Sequence, residues 1–364
     1  MCKAILAPLN RVSIRRQCAW RFGANATSTV GTWTGTSTRT VTFAGAAPTP
    51  WLRRGISSSA VLAKDPPQAQ SESPLGKIGV AAALAPSSGA VKPTLWSEFA
   101  LRDRVALVSG ANRGLGLEMA LALVEAGARA VYCVDLPGRP GDGWVKVAEY
   151  VRRMVADNNG EVTGRLEYVC ADVRDQKAMW KVGEEIGERE GRMDVCVAAA
   201  GISTSDMDCL EYPADQFEQV ISVNTNGVLY TAQAAGRQMA RFGNGGSIIL
   251  IASMSGSITN KDHACVSYNT SKSAVLQMGR SMACELGRKR IRVNTLSPGY
   301  IYTSMTAAYL DTQPHFLDRW SKLNPLGRIG RPDELRGVIT WLASDASTFC
   351  TGSDILVSGG HHAW

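Results

Sequence analysis

Acidic residues are missing from the first 64 positions of this 364-residue chain; the first is Asp65. The same stretch holds nine basic side chains: Lys3, Arg11, Arg15, Arg16, Arg21, Arg39, Arg53, Arg54 and Lys64. The formal charge of +7 therefore belongs to the leader, because the remaining residues carry 30 basic and 32 acidic side chains. With no basic patch in the body, no nucleic-acid partner is expected. Long apolar runs are also absent. Residues 78–85 are apolar but far too short to cross a bilayer, so no membrane partner is expected either. None of the nine cysteines stands in a C-x-x-C pair, which points to buried thiols in a reducing compartment. Histidine is scarce, with four residues. His361-His362 has no thiol or carboxylate at motif spacing and reads as tail or subunit contact, so no metal site is predicted. No internal repeat is evident.

Residues 1–64 are rich in Arg, Ser and Thr and start with an apolar-basic run from Ile5 to Trp20, the composition of a mitochondrial transit peptide. Arg53-Arg54-Gly55-Ile56-Ser57-Ser58-Ser59 resembles the arginine-containing cleavage sites of matrix presequences. The expected location is the mitochondrial matrix; the alternative is a cytoplasmic protein with an N-terminal tail. Residues 65–95, with Pro66-Pro67, Pro74 and Pro86-Ser87-Ser88-Gly89, read as a linker. One folded domain is expected over residues 96–364.

In that domain, apolar runs alternate with longer amphipathic segments. Strands are expected at 105–109, 130–134, 166–170, 195–199, 247–252, 292–296 and 354–357. Helices are expected at 115–126, 144–158, 176–190, 214–240, 267–286 and 332–343. Fully apolar strands alternating with helices indicate a parallel sheet covered on both faces, an α/β doubly wound Rossmann fold.

The first strand runs into Ser109-Gly110-Ala111-Asn112-Arg113-Gly114-Leu115-Gly116. A glycine-rich turn between strand and helix lets backbone N–H groups approach a dinucleotide pyrophosphate. The second strand ends at Asp135, 19 residues past Gly116. A carboxylate there accepts from the ribose 2′-OH of NAD and repels the 2′-phosphate of NADP. Arg113 could instead pair with that phosphate; Asp135 is taken as the stronger determinant, and NAD as the cofactor. Asp172 and Val173, after the third strand, are placed to meet the adenine edge, unless Asp172 caps the following helix.

Tyr268-Asn269-Thr270-Ser271-Lys272 puts a phenol and an ammonium on one helix face, at i and i+4. A free phenol has a pKa near 10, and a neighbouring cation is expected to lower it. Ser253 follows the strand 247–252, at the end of the sheet where such folds hold ligands. Asn224 is a polar group inside the long helix 214–240. His263 precedes the Tyr268 helix, either lining a pocket or sitting in a loop.

In this order and with the glycine turn, these residues resemble the short-chain dehydrogenase/reductase family over about residues 98–360. The resemblance implies a seven-stranded sheet and a catalytic tetrad of Asn224, Ser253, Tyr268 and Lys272. It places the pyrophosphate on Gly110, Gly114, Leu115 and Gly116. It places the nicotinamide carboxamide against the loop of Ser297-Pro298-Gly299, with the Ile301 backbone and Thr303. It also implies a homo-oligomer, dimer or tetramer, acting on a small-molecule substrate. One departure is visible: where the family often has Asn-Asn-Ala-Gly, this chain reads Ala198-Ala199-Ala200-Gly201, with Gly201 still a candidate cofactor contact.

Within the family, the segments Ser247-Ile248-Ile249-Leu250-Ile251-Ala252-Ser253 and Arg292-Val293-Asn294-Thr295-Leu296-Ser297-Pro298-Gly299-Tyr300 are similar to fungal polyol and sugar dehydrogenases of the arabinitol 2-dehydrogenase type. The implied reaction is hydride exchange between NAD(H) and a secondary alcohol or ketone, a polyol or its ketose. The alternatives are NADPH-dependent reduction of a 3-oxoacyl thioester and a cofactor-bound subunit without turnover.

Overall fold

The computed structural model describes residues 75–86, 89–154, 164–204, 206–261, 263–303, 306–307, 310 and 315–364. The expected transit peptide lies outside the described residues, as do 65–74 and 87–88 of the expected linker. Two short helices, Gly79–Ala83 and Leu95–Glu98, precede the sheet, and neither contains a buried residue.

The chain then runs β1 (Val105–Ser109), α1 (Gly114–Glu125), β2 (Ala130–Asp135), α2 (Asp142–Arg152), β3 (Arg165–Cys170), α3 (Gln176–Glu190) and β4 (Val195–Ala198). It continues with α4 (Ala214–Ile221), a π-helical segment (Ser222–Gly227), α5 (Val228–Phe242), β5 (Gly246–Ile251), α6 (Val266–Leu286) and β6 (Ile291–Pro298). The last elements are α7 (His315–Lys322), α8 (Arg336–Ala343) and β7 (Asp354–Val357). The seven strands pair in the order 3-2-1-4-5-6-7, every pair parallel. This is the doubly wound Rossmann topology.

Strand pleating explains why the strands carry no polar face. Along β1, Val105 and Leu107 join one core with Met179, Val182 and Ile186 of α3, Val228 and Ala232 of α5, and Val275 and Leu276 of α6. Ala106 and Val108 point the other way, to a second core with Met119 and Leu123 of α1, Trp144 and Val151 of α2, and Ile339 and Leu342 of α8. A strand buried on both sides must be apolar at every position.

Three expected elements differ. The helix expected at 144–158 starts at Asp142 and ends at Arg152, and positions 155–163 lie outside the described residues. The segment expected as one helix over 214–240 is interrupted by the π-helical turn and extends to Phe242. An extra residue per turn does not disturb apolar periodicity enough to show in the sequence. The helix expected at 332–343 starts as the 3₁₀ turn Pro332–Leu335, with proline at its first position, where a missing N–H costs nothing.

The order of the sheet reverses between β1 and β4, which opens a crevice at their carboxyl ends. Gly110 and Gly201 lie just past those ends, and Ser253 lies two residues past β5.

Candidate active site

The glycine turn owes its shape to close backbone approach. Gly110 has φ +67°, and a Cβ there would stand 2.7 Å from the Ala200 Cα. At Gly116 a Cβ would collide with the Gly110 carbonyl. Gly114 has φ +59° but open space around it, so its need is conformational only. The turn therefore packs against 199–200 and opens the N-terminus of α1 to the crevice. Small residues at Ala199 and Ala200 let this happen, and Ala200 N–H donates to Ser109 Oγ at 3.3 Å. The backbone of Ala199, where the family often has its second asparagine, and of Ala200 thus braces the turn.

Asp135 faces this turn. Its carboxylate accepts from Asn112 N–H at 3.0 Å and from Leu136 N–H at 2.8 Å. Asn112 itself accepts from Gly141 N–H at 2.8 Å and so fastens the loop after β2. Sequence reasoning did not single out Asn112. Arg113 is exposed, and its side chain makes no hydrogen bond or ion pair among the described residues.

Asp172 pairs with Arg174 through both carboxylate oxygens at 2.6–3.0 Å, which holds its carboxyl below the usual range. It does not cap α3; Asp175 does, accepting from Ala178 N–H. Val173 is buried against Gly227.

On the β6 side, Gly299 packs against Ser358 so closely that a Cβ would sit 2.6 Å from its Cα. Pro298 ends the strand, and Ile301 is buried and bridges to Gly330. Thr303 N–H donates to Thr306 Oγ1 at 2.7 Å. A cleft of about 390 Å³ is lined by Gly114, Leu117, Tyr302, Thr303 and Pro332. It joins the glycine turn to the Thr303 loop.

The four tetrad candidates come together at the carboxyl ends of β4 and β5. Lys272 is 4% exposed, and its Nζ donates to the Ile251 carbonyl at 2.9 Å, 5.6 Å from the centre of the Tyr268 ring. With no carboxylate beside it, burial pushes its pKa down to about 8. Ser253 caps the 3₁₀ turn Met254–Gly256 by accepting from Ser255 N–H, and it sits beside the Tyr268 phenol.

The phenol does not show the expected depression. Burial raises its pKa, the Ser253 hydroxyl beside it opposes this, and the Cys265 thiol adds to the rise. Burial dominates, and the Lys272 ammonium is not among the groups that shift the phenol: its Nζ donates to the Ile251 carbonyl, 5.6 Å from the ring centre. The chain by itself therefore holds Tyr268 as a neutral hydrogen-bond donor.

Asn224 is fully buried in the π-helical segment. Its Oδ1 accepts from Ile202 N–H at 2.8 Å, and its Nδ2 donates to the Ile202 carbonyl at 2.9 Å and to Ser271 Oγ at 3.1 Å. Its side chain is thus a clamp on the segment after β4. Gly201 completes the group, since a Cβ there would stand 3.4 Å from Asn224 Oδ1 and 3.6 Å from Lys272 Nζ.

Two features escaped sequence reasoning. Ser271 joins Asn224 to α6, and only its position inside Tyr-x-x-Ser-Lys hinted at it. A ring cluster also packs around His263, which lines the cavity beside the start of α6. Tyr300 stacks on Trp320 of α7 at 4.3 Å, and Trp320 Nε1 donates to His263 Nε2 at 3.0 Å. His361 meets the Tyr300 ring edge-on and hydrogen-bonds Asn324. His263 thus belongs to a pocket wall. His361 is a buried packing residue of its own chain, which corrects the tail reading.

Comparison with known proteins follows this geometry. A family model described as Enoyl-(Acyl carrier protein) reductase matches residues 110–362. Sorbose reductase sou1 of Schizosaccharomyces pombe is 37% identical over 73% of this chain and 98% of its own length. The ribulose-forming D-arabinitol 2-dehydrogenase of Candida tropicalis is 32% identical over 73% of this chain and 95% of its own. A solved gluconate 5-dehydrogenase from Burkholderia cenocepacia J2315, in complex with NADP and tartrate, superposes with a TM-score of 0.64. It is 31% identical over 74% of this chain and 99% of its own. The chain belongs to the short-chain dehydrogenase/reductase family and is an NAD(P)-dependent oxidoreductase acting on CH–OH groups, similar to fungal polyol dehydrogenases.

Proposed function

We propose that this enzyme interconverts a polyol and its ketose with NAD(H), in the mitochondrial matrix, as a homo-oligomer. The observation that carries the chemistry is the buried Lys272 ammonium against the Tyr268 ring, with Ser253 beside the phenol. The activities named for the sorbose and arabinitol relatives support the substrate class.

The cofactor's fit rests on the turn. Gly110, Gly114 and Gly116 leave a cradle that Cβ atoms would fill or strain, and Asp135 stands over it as an acceptor for a ribose 2′-OH. Leu115 opens α1 beside them; Asp172, Val173 and Gly201 would border the adenosine side, and Pro298, Gly299, Ile301 and Thr303 the nicotinamide side. The cofactor supplies or accepts the hydride. NADP is the weaker reading: a known relative binds it, and exposed Arg113 offers a cation, but the Asp135 carboxylate opposes a phosphate.

The side chains divide the proton work. Tyr268 gives its hydroxyl proton to the substrate oxygen during reduction and recovers it during oxidation. Ser253 donates to the same oxygen and holds its developing charge. Lys272 supplies a buried cation 5.6 Å from the ring centre, which lowers the cost of the phenolate as it forms in the oxidation direction. Asn224 keeps the Gly201–Ile202 segment in place beside the ammonium.

Reduction of a 3-oxoacyl thioester is the second reading, favoured by the acyl carrier description of the matching family model. One assay separates them: initial rates of the purified chain with NAD(H) and NADP(H) against polyols, ketoses and 3-oxoacyl thioesters. Turnover confined to thioesters with NADPH overturns the proposal.

A further inference from the structure

The geometry points to a binding site for a borderline-soft divalent cation of the zinc class, formed by Asp206, His263 and Cys265 just ahead of the helix that carries Tyr268 and Lys272. The oxygen, nitrogen and sulfur atoms these residues offer all lie within 4.8 Å of one another. His263 Nδ1 and Asp206 Oδ1 are 3.6 Å apart. Two ligands bonded to tetrahedral zinc at ~2.0–2.3 Å stand roughly 3.3–3.8 Å from each other. The Asp–His pair already meets that spacing, and the thiol, within 4.8 Å of both, needs a shift of at most about 1.5 Å.

The site is built into the backbone. Met207 N–H donates to the Ala264 carbonyl at 2.9 Å, which ties the segment carrying Asp206 to the one carrying His263 and Cys265. Cys265 is largely buried at the N-cap of α6, and Asp206 is exposed and able to swing inward. His263 and Cys265 border a cavity of about 770 Å³, lined also by Met207 and Ser255, which gives a cation its route of entry. The fourth position remains open to water.

His263 has a second use that excludes the first. Its Nε2 accepts the Trp320 indole N–H, so in the cation-free chain the proton is on Nδ1. A metal on Nδ1 requires that proton to move to Nε2, and two donors then face each other. Binding therefore releases the Trp320 bond from α7, while the Cys265 thiol proton leaves to solvent as the S–metal bond forms. Metal binding and the His263–Trp320 bond compete for one imidazole.

The test is titration of the chelator-treated full chain with CoCl₂, followed in the near-ultraviolet where thiolate-to-cobalt charge transfer absorbs. One Co²⁺ per chain with that band is expected, displaced by ZnCl₂. Cys265→Ser must abolish the band, and Asp206→Asn, at an exposed position that does not threaten folding, must weaken binding. Trp320→Phe keeps every ligand and removes the competing hydrogen bond. Its Co²⁺ affinity should therefore rise about 2- to 10-fold. No charge-transfer band, a band that survives Cys265→Ser, or an unchanged affinity in Trp320→Phe overturns the proposal.

Discussion

At the scale of single residues, the site turns on the contest between burial and partners. Tyr268→Phe keeps the ring and removes the one group assigned to proton transfer. Turnover should drop by roughly 10²–10⁴-fold while cofactor affinity, read by fluorescence titration, holds; near-normal turnover would show the assignment to be wrong. Asp135→Ser removes the acceptor above the glycine turn and should move the NAD/NADP preference towards NADP, read as the ratio of kcat/KM values. A parent enzyme that already prefers NADP refutes the role given to Asp135.

Lys272 links chemistry to stability. Its folded pKa of about 8 lies below the ordinary lysine value, so the folded chain binds fewer protons than the unfolded chain between about pH 8 and 10.5. This group's contribution therefore rises with pH across that window, and at neutral pH the buried ammonium costs on the order of 3 kcal/mol. Lys272→Met should abolish turnover yet gain Tm at pH 7 relative to its effect at pH 10. A Tm difference that does not change with pH would contradict this.

At the scale of elements, the π-helical segment and the glycine turn set the positions of everything else. The π turn aims Asn224 at Ile202 and Ser271, where a regular helix would carry it past them. Asn224→Leu leaves the Ile202 N–H and carbonyl without partners, at ~1–3 kcal/mol for each buried group. Thermal denaturation should show that loss together with reduced turnover; a variant as stable as the parent would remove the clamp from the argument. In the turn, Gly116→Ala pushes a methyl into the Gly110 carbonyl. Cofactor affinity should fall more than Tm, because the collision reshapes the cradle while both cores remain packed.

At the scale of the whole molecule, the sheet with its two cores stands on residues from Leu101 onwards. Residues 65–364 are therefore expected to turn over like the full chain, and a fusion of residues 1–64 to a fluorescent protein to enter mitochondria. Uniform cytosolic signal would remove the matrix from the proposal. Light scattering should give a multiple of the 38.9 kDa chain mass, reduced by any cleaved leader.

The sequence by itself determined the fold class and most of the site. Strands buried on both faces must be apolar throughout, so 105–109, 195–199 and 247–252 could be read as a covered parallel sheet. Gly110, Gly116, Asp135, Ser253, Tyr268 and Lys272 follow from spacing against those strands, because their positions are local consequences of strand ends and helical turns. What tertiary structure alone decided depends on contacts between distant segments. The π turn at Asn224 is set by its bond to Ile202, 22 residues away. The choice between Asp172 and Asp175 as the cap of α3 is local, but two carboxylates three residues apart fit the same capping rule equally well. The rise of the Tyr268 pKa comes from burial, which a sequence of alternating polar and apolar residues does not disclose. Trp320 meets His263 across 57 positions, and no local pattern relates two rings so far apart.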